Sequence, residues 1–246
     1  MTFAFGCLWG TTLQAAESFG GYEAAFTHDS NFLATPSSTQ ADAEDYFAFS
    51  GYLGRYWPSP DQRSAFVLRG DAALALHDRH NVLDRTDFGV TAGVYHAFSR
   101  RNSMTATASL LTRRFDDSTR DTDIASAHFG LKQKISEIFW FREGLSFERA
   151  DAQTAADSYD GYTLQGSLNW SPTRGTLYTL ALARTARTYD SSPDVERAGW
   201  QLSAGLIYEL DPRYYLRAGY TRLSDETSAG IDYDSNIYTV ALGASF

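Results

Sequence analysis

The sequence predicts an all-β fold, a single antiparallel up-and-down transmembrane β-barrel of twelve strands. Three observations predict it. Apolar residues alternate with small or polar ones in segment after segment from residue 19 onward, which is the period of a strand with two unlike faces. The connections between these segments alternate between short and long. The chain ends on one such ribbon, with Tyr238, Val240, Leu242, Ala244 and Phe246 on one face and Thr239, Ala241, Gly243 and Ser245 on the other.

Each element has its own pattern. The first strand is expected over 19–28, before a long polar connection. The second, over 46–56, stops at the turn Trp57-Pro58-Ser59-Pro60-Asp61, because proline cannot donate to a ladder. The third, over 65–76, sets Phe66, Leu68, Gly70, Ala72, Leu74 and Leu76 against Arg69 and Asp71. The fourth (88–98) groups Phe88, Val90, Ala92, Val94 and Phe98, and the turn Ser99-Arg100-Arg101-Asn102 leads into the fifth (104–113). The sixth to ninth are expected over 124–132, 138–148, 161–170 and 177–187. The tenth (198–208) places Ala198, Trp200, Leu202, Ala204, Leu206 and Tyr208 together, the eleventh spans 214–222, and the twelfth, 235–246, closes the chain. Segments of about ten residues cross a bilayer when tilted, and an even strand number returns both termini to one side.

Composition agrees with this class. Aromatics make up 15% of 246 residues. Cys7 is the only cysteine, which excludes a disulfide framework and a cysteine-based metal centre. No apolar run reaches the length of a spanning helix, but a membrane barrel alternates its apolar residues and escapes hydropathy plots. Residues 1–16, with an apolar core over 3–9 and small residues at Ala15 and Ala16, predict a secretory signal, although no Lys or Arg precedes Arg55. The barrel is then 17–246.

The terminal strand ending on Phe246, with Tyr238, Val240 and Leu242 on its apolar face, resembles the closing strand of Gram-negative outer-membrane β-barrels. The resemblance implies an outer-membrane location, a C-terminal assembly signal read by the barrel-assembly machinery, and contact with outer-membrane lipid and lipopolysaccharide. Short turns then lie in the periplasm and long loops outside. Expected short connections are 57–63, 99–102, 133–137, 171–175 and 209–213; expected long ones are 28–45, 77–87, 113–123, 148–160, 187–197 and 222–234. The net charge is −9, and acidic residues concentrate in the long connections. Aromatics flank the short turns, including Phe19, Trp57, Phe66, Trp170, Tyr178, Tyr208 and Tyr214, as in an interfacial girdle.

Energetics decide which face looks out. A basic side chain facing lipid near the midplane costs roughly 2–4 kcal/mol. Arg69, Lys132, Arg142 and Arg217 lie opposite the apolar set, so they are expected in the lumen with Asp71, Glu23 and Glu148. Rings of charge set pore selectivity, so basic groups under an acidic mouth suit a narrow passive channel for small anionic or sugar-like solutes. A non-conducting accessory barrel for surface-polysaccharide export or envelope assembly is the alternative. Glu143 shares the parity of Phe139, Phe141, Leu145 and Phe147 and is expected to face lipid. An ionisable group there marks a candidate contact with another subunit, in a homo-oligomer or with a periplasmic partner.

Other chemistry leaves weaker marks. Asp-Ser-Asn occurs at Asp29-Ser30-Asn31 and again at Asp234-Ser235-Asn236. Closure brings both copies to the outer rim, where Asp29, Asn31, Asp234 and Asn236 form a candidate cation site. The first copy also resembles barrels linked to exopolysaccharide export. A lipid-modifying enzyme is the least favoured reading: Ser126 and His128 share a face, but it is the luminal one, and no third group orients the histidine. Cofactors, resident metals and nucleic-acid partners have no motif here.

Overall fold

The computed structural model describes residues 16–31, 42–228 and 232–246. The expected signal segment and Cys7 lie outside the described residues, apart from Ala16. The strands are β1 (Glu17–Asp29), β2 (Glu44–Pro58), β3 (Ser64–His77), β4 (Arg85–Ala97), β5 (Asn102–Phe115), β6 (Thr122–Lys134), β7 (Phe139–Ala152), β8 (Tyr159–Trp170), β9 (Thr176–Tyr189), β10 (Ser192–Glu209), β11 (Tyr214–Thr227) and β12 (Asp232–Ser245). Each pairs antiparallel with its sequence neighbours, and β1 pairs with β12, so the sheet closes into a twelve-stranded barrel.

The apolar faces look outward. Leu110 is 68% exposed, Leu53 62% and Val240 59%. Among the described residues, the buried apolar side chains are chiefly alanines, with Leu83 and Ile124. A soluble barrel would bury its leucines and phenylalanines. This one presents them as a belt, which is stable only against lipid. In the free-standing belt Trp57 lies 5.4 Å from Phe66, and Trp170 stacks on Tyr178 at 5.2 Å. Among the described residues, no helix is long and apolar enough to cross a membrane.

Two expectations are corrected. The connections foreseen over 187–197 and 222–234 are mostly strand: β9 runs to Tyr189 and β10 begins at Ser192, with a register shift between Ser192 and Glu196, and β11 runs to Thr227 while β12 begins at Asp232. Hairpins on that side extend past the apolar belt, and polar residues pair there as readily as apolar ones, so loss of apolar alternation does not mark the end of a strand. Phe19 does not join the outer girdle. It shares the inward parity of Glu23 and packs 6.2 Å from Tyr52 over Gly54, where its ring takes the place of a side chain.

The candidate functional site in the lumen

The inner wall is polar by construction. Hydroxyls meet across strand pairs at Thr91–Ser109, Thr163–Thr185 and Ser203–Thr221, each 2.9 Å, and at Thr27–Thr239, 3.2 Å. Small residues between them leave space for long charged side chains.

Four of those charges form two pairs near mid-height. Arg69 Nε donates to Asp71 Oδ2 at 3.0 Å and its Nη2 lies 2.9 Å from Oδ1, with the guanidinium 5.6 Å from the Tyr52 ring centre. Arg217 Nε donates to Glu23 Oε2 at 3.0 Å and its Nη2 to Oε1 at 2.5 Å. That second pair spans β12, whose Gly243 stands opposite both Glu23 and Tyr215. The Tyr215 ring occupies the place of a Cβ on Gly243. From there the phenol donates to Glu23 Oε2 at 3.3 Å.

Lys132 and Arg142 face one another across β6–β7, close to the short-turn end, and Lys132 Nζ sits 4.8 Å from the Trp140 ring. Like charges directly opposite repel, so this pair concentrates positive potential. His128 Nδ1 pairs with Ser146 Oγ at 2.8 Å, not with Ser126, which stands opposite Glu148.

A second cluster lies toward the long-connection end, and of its residues the sequence reading named only Glu148. Glu148 accepts a hydrogen bond from the Tyr159 hydroxyl. Tyr159 packs 5.5 Å from Tyr189, and the Arg187 guanidinium lies 4.8 Å over Tyr159. Arg187 stands directly opposite Arg197. Arg197 binds Asp225 through Nε at 2.9 Å and Nη2 at 2.7 Å and lies 4.8 Å over Tyr233. On β4 and β5, Asp87 serves both Arg113, at 3.1 Å, and Arg85, at 3.7 Å. Among the described residues Arg187 has no carboxylate within ion-pair distance; Asp225 contacts Arg197, and Glu148 accepts from the neutral Tyr159 hydroxyl. The missed signal was parity: 187 and 197 continue the inward alternation of Ala183, Thr185, Gly199 and Gln201.

The two Asp-Ser-Asn copies meet at the closing seam. Ser30 N donates to Asn236 O at 3.0 Å and Asn236 N to Ser30 Oγ at 2.8 Å. Asn31 Nδ2 donates to Asp234 O at 2.8 Å, and Asp29 Oδ1 accepts from Asn31 N at 2.9 Å and from the Ser235 hydroxyl. Asn236 Oδ1 takes the Tyr220 hydroxyl at 2.8 Å. The copies therefore engage one another, and no group of three or more His, Cys, Asp or Glu among the described residues is arranged to hold a metal. Glu143 is exposed on the outer surface, opposite Leu131 and Gly166. Tyr238, Val240, Leu242 and Phe246 also face outward, and Phe246 exchanges two main-chain hydrogen bonds with Gly20, at 2.9 and 3.0 Å.

No protein-family profile and no curated protein sequence matches the chain. Among solved structures it is similar to the COG4313 outer membrane channel from Pseudomonas putida F1, with 11% identity, a TM-score of 0.67, and coverage of 96% of this chain and 97% of that one. The KdgM porin matches at 13% identity and a TM-score of 0.51, over 91% of this chain and 99% of its own. The translocator domain of the autotransporter NalP from Neisseria meningitidis matches at 9% identity and a TM-score of 0.51, over 93% and 88%. At these identities the likeness is one of fold: the chain has the architecture of Gram-negative outer-membrane β-barrels, which channels and a translocator share.

Proposed function

We propose that this chain is a passive outer-membrane channel whose narrow lumen passes small anionic, sugar-like solutes without a cofactor. The observation that carries the reading is Arg187, a cation on the inner wall with no carboxylate in ion-pair contact among the described residues, set beside Arg197 and over Tyr159. A guanidinium presents flat, paired donors to a carboxylate, and tyrosine faces give a sugar ring an apolar surface. Arg85 and Arg113 sharing Asp87, and Lys132 facing Arg142, add to the same bias. The internal carboxylates compete with any solute for these arginines. That keeps binding weak, and a conducting site must release what it admits. Twelve strands enclose a bore between that of a side-chain-filled eight-stranded barrel and an open sixteen-stranded porin.

Single-channel recording in planar bilayers tests this. Discrete openings with a reversal potential on the anion side support the channel, and Arg69→Ser with Arg217→Ser should erase or invert that preference. Folded protein that stays silent overturns the channel and favours an accessory barrel in surface-polysaccharide export.

A further inference from the structure

On the outer surface of β8 to β12 the apolar belt ends at a defined line. Climbing β9 from its short turn, the outward residues are Tyr178, Leu180, Leu182 and then Arg184; on β11 they are Tyr214, Leu216, Ala218, Tyr220 and then Arg222. Both arginines are ninth in their strands, so they stand above mid-height on the side of the long connections. Between them β10 presents Trp200, opposite Arg184, and Leu202, opposite Arg222. The Arg184 guanidinium lies 5.1 Å from the Trp200 ring centre, and Trp200 is 49% exposed.

These two arginines differ from the others at the same boundary. On β5 to β7 the outward arginines are matched by carboxylates. Arg114 lies 3.0 Å from Asp123, and Arg149 meets Asp151, Asp160 and Asp190 at 2.9, 3.1 and 2.7 Å. Neither Arg184 nor Arg222 has an ion-pair partner among the described residues. The carboxylates that share their face, among them Asp160 on β8, Glu196 on β10, Glu226 on β11 and Asp232 and Asp234 on β12, sit higher in register than either arginine. A guanidinium at the edge of a lipid-facing belt, held against tryptophan and lacking a protein counter-ion, is placed where lipid headgroups lie.

We propose that Arg184, Trp200 and Arg222 form an external site for the phosphorylated headgroup of an outer-leaflet glycolipid, with the two guanidiniums binding phosphate oxygens and Trp200 and Leu202 covering the first acyl carbons. The site rests on the assignment of long connections to the outside, and it does not require the lumen to conduct. Phosphate takes paired donors from arginine at short, charge-assisted distances, and the low dielectric of the belt strengthens the contact.

Native mass spectrometry of the folded, detergent-solubilised barrel tests it, with diphosphorylated lipid A, dephosphorylated lipid A and phosphatidylglycerol as probes. Wild type should retain diphosphorylated lipid A, and Arg184→Gln with Arg222→Gln should weaken retention by about tenfold or more, as loss of two charge-assisted contacts implies. Arg114→Gln with Arg149→Gln, at the matched rim, should leave retention unchanged. Heat-modifiable migration on gels verifies that each variant is folded. Equal retention by the Arg184/Arg222 variant, equal retention of dephosphorylated lipid A, or equal retention of phosphatidylglycerol would each overturn the assignment.

Discussion

Arg187 and Arg197 stand directly opposite each other across the β9–β10 ladder, each guanidinium 4.8 Å over a tyrosine ring, Tyr159 for the first and Tyr233 for the second. Two like charges in register repel. Asp225 is in ion-pair contact with Arg197 alone, so Arg187 is the member of the pair without a direct carboxylate contact among the described residues. This asymmetry separates the roles of the two residues.

Arg187→Ser should reduce anion preference in bilayer recordings while leaving the thermal midpoint of the barrel nearly unchanged, because no carboxylate loses its partner. Arg197→Ser should lower the midpoint as well, since Asp225 is left facing the space over Gly199 without its bidentate donor. Paired reversal potentials and unfolding midpoints of the two variants check this, and equal stability losses would contradict it.

Gly243→Val should destabilise the closed barrel. The Tyr215 ring fills the space that a side chain at 243 needs, and overpacking typically costs about 1–3 kcal/mol. Displacing that ring also removes its hydrogen bond to Glu23, so the Arg217 pair should loosen with it. Urea unfolding in lipid vesicles measures the loss, and Tyr215→Ala in the same background should recover part of it.

Glu143→Leu should stabilise the barrel in vesicles by on the order of 1 kcal/mol, because it removes a carboxyl from the lipid-facing surface. A fall in stability, together with cross-linking from position 143 to another chain in native membranes, would instead identify that face as a subunit contact.

Phe246→Ala keeps the two main-chain bonds to Gly20 and removes only the exposed ring. Refolding into detergent should therefore be close to normal, while the amount of folded barrel recovered from cell envelopes should fall severalfold if the ring is read during assembly. Comparing heat-modifiable protein from the two routes separates assembly from stability.

Asp117 caps the short turn Ser118–Arg120, accepting from Thr119 N at 3.2 Å and from its hydroxyl at 2.7 Å. These bonds favour the ionised carboxylate and hold its pKa below the usual aspartate value. A depressed folded pKa adds stability above the unfolded value and loses it as pH falls through the folded one. The protection of the Thr119 amide, its exchange rate relative to the intrinsic rate at each pH, should thus fall on acidification below the usual aspartate range and show no such fall in Asp117→Ala.

Much of this molecule is written locally. Period-2 alternation in residues such as Phe66, Leu68, Leu74 and Leu76 against Arg69 and Asp71 is enough to number the strands, and the energetic penalty on a lipid-facing charge is enough to say which face is wet. Strand ends were less legible, as β9 and β10 show, because polar residues above the belt pair without any change in chemistry that marks the boundary.

Which luminal charges meet is a different kind of information. Glu23 and Arg217 are 194 positions apart and join only because β1 closes on β12 in one register, with Gly243 making room between them. Arg187 is left without a carboxylate only because the β9–β10 and β10–β11 registers give Asp225 to Arg197. Alternation along a strand follows from the backbone of that strand alone, so the chain carries it residue by residue. Partnership across a closed barrel depends on the stagger accumulated around the whole ring, which no single segment encodes.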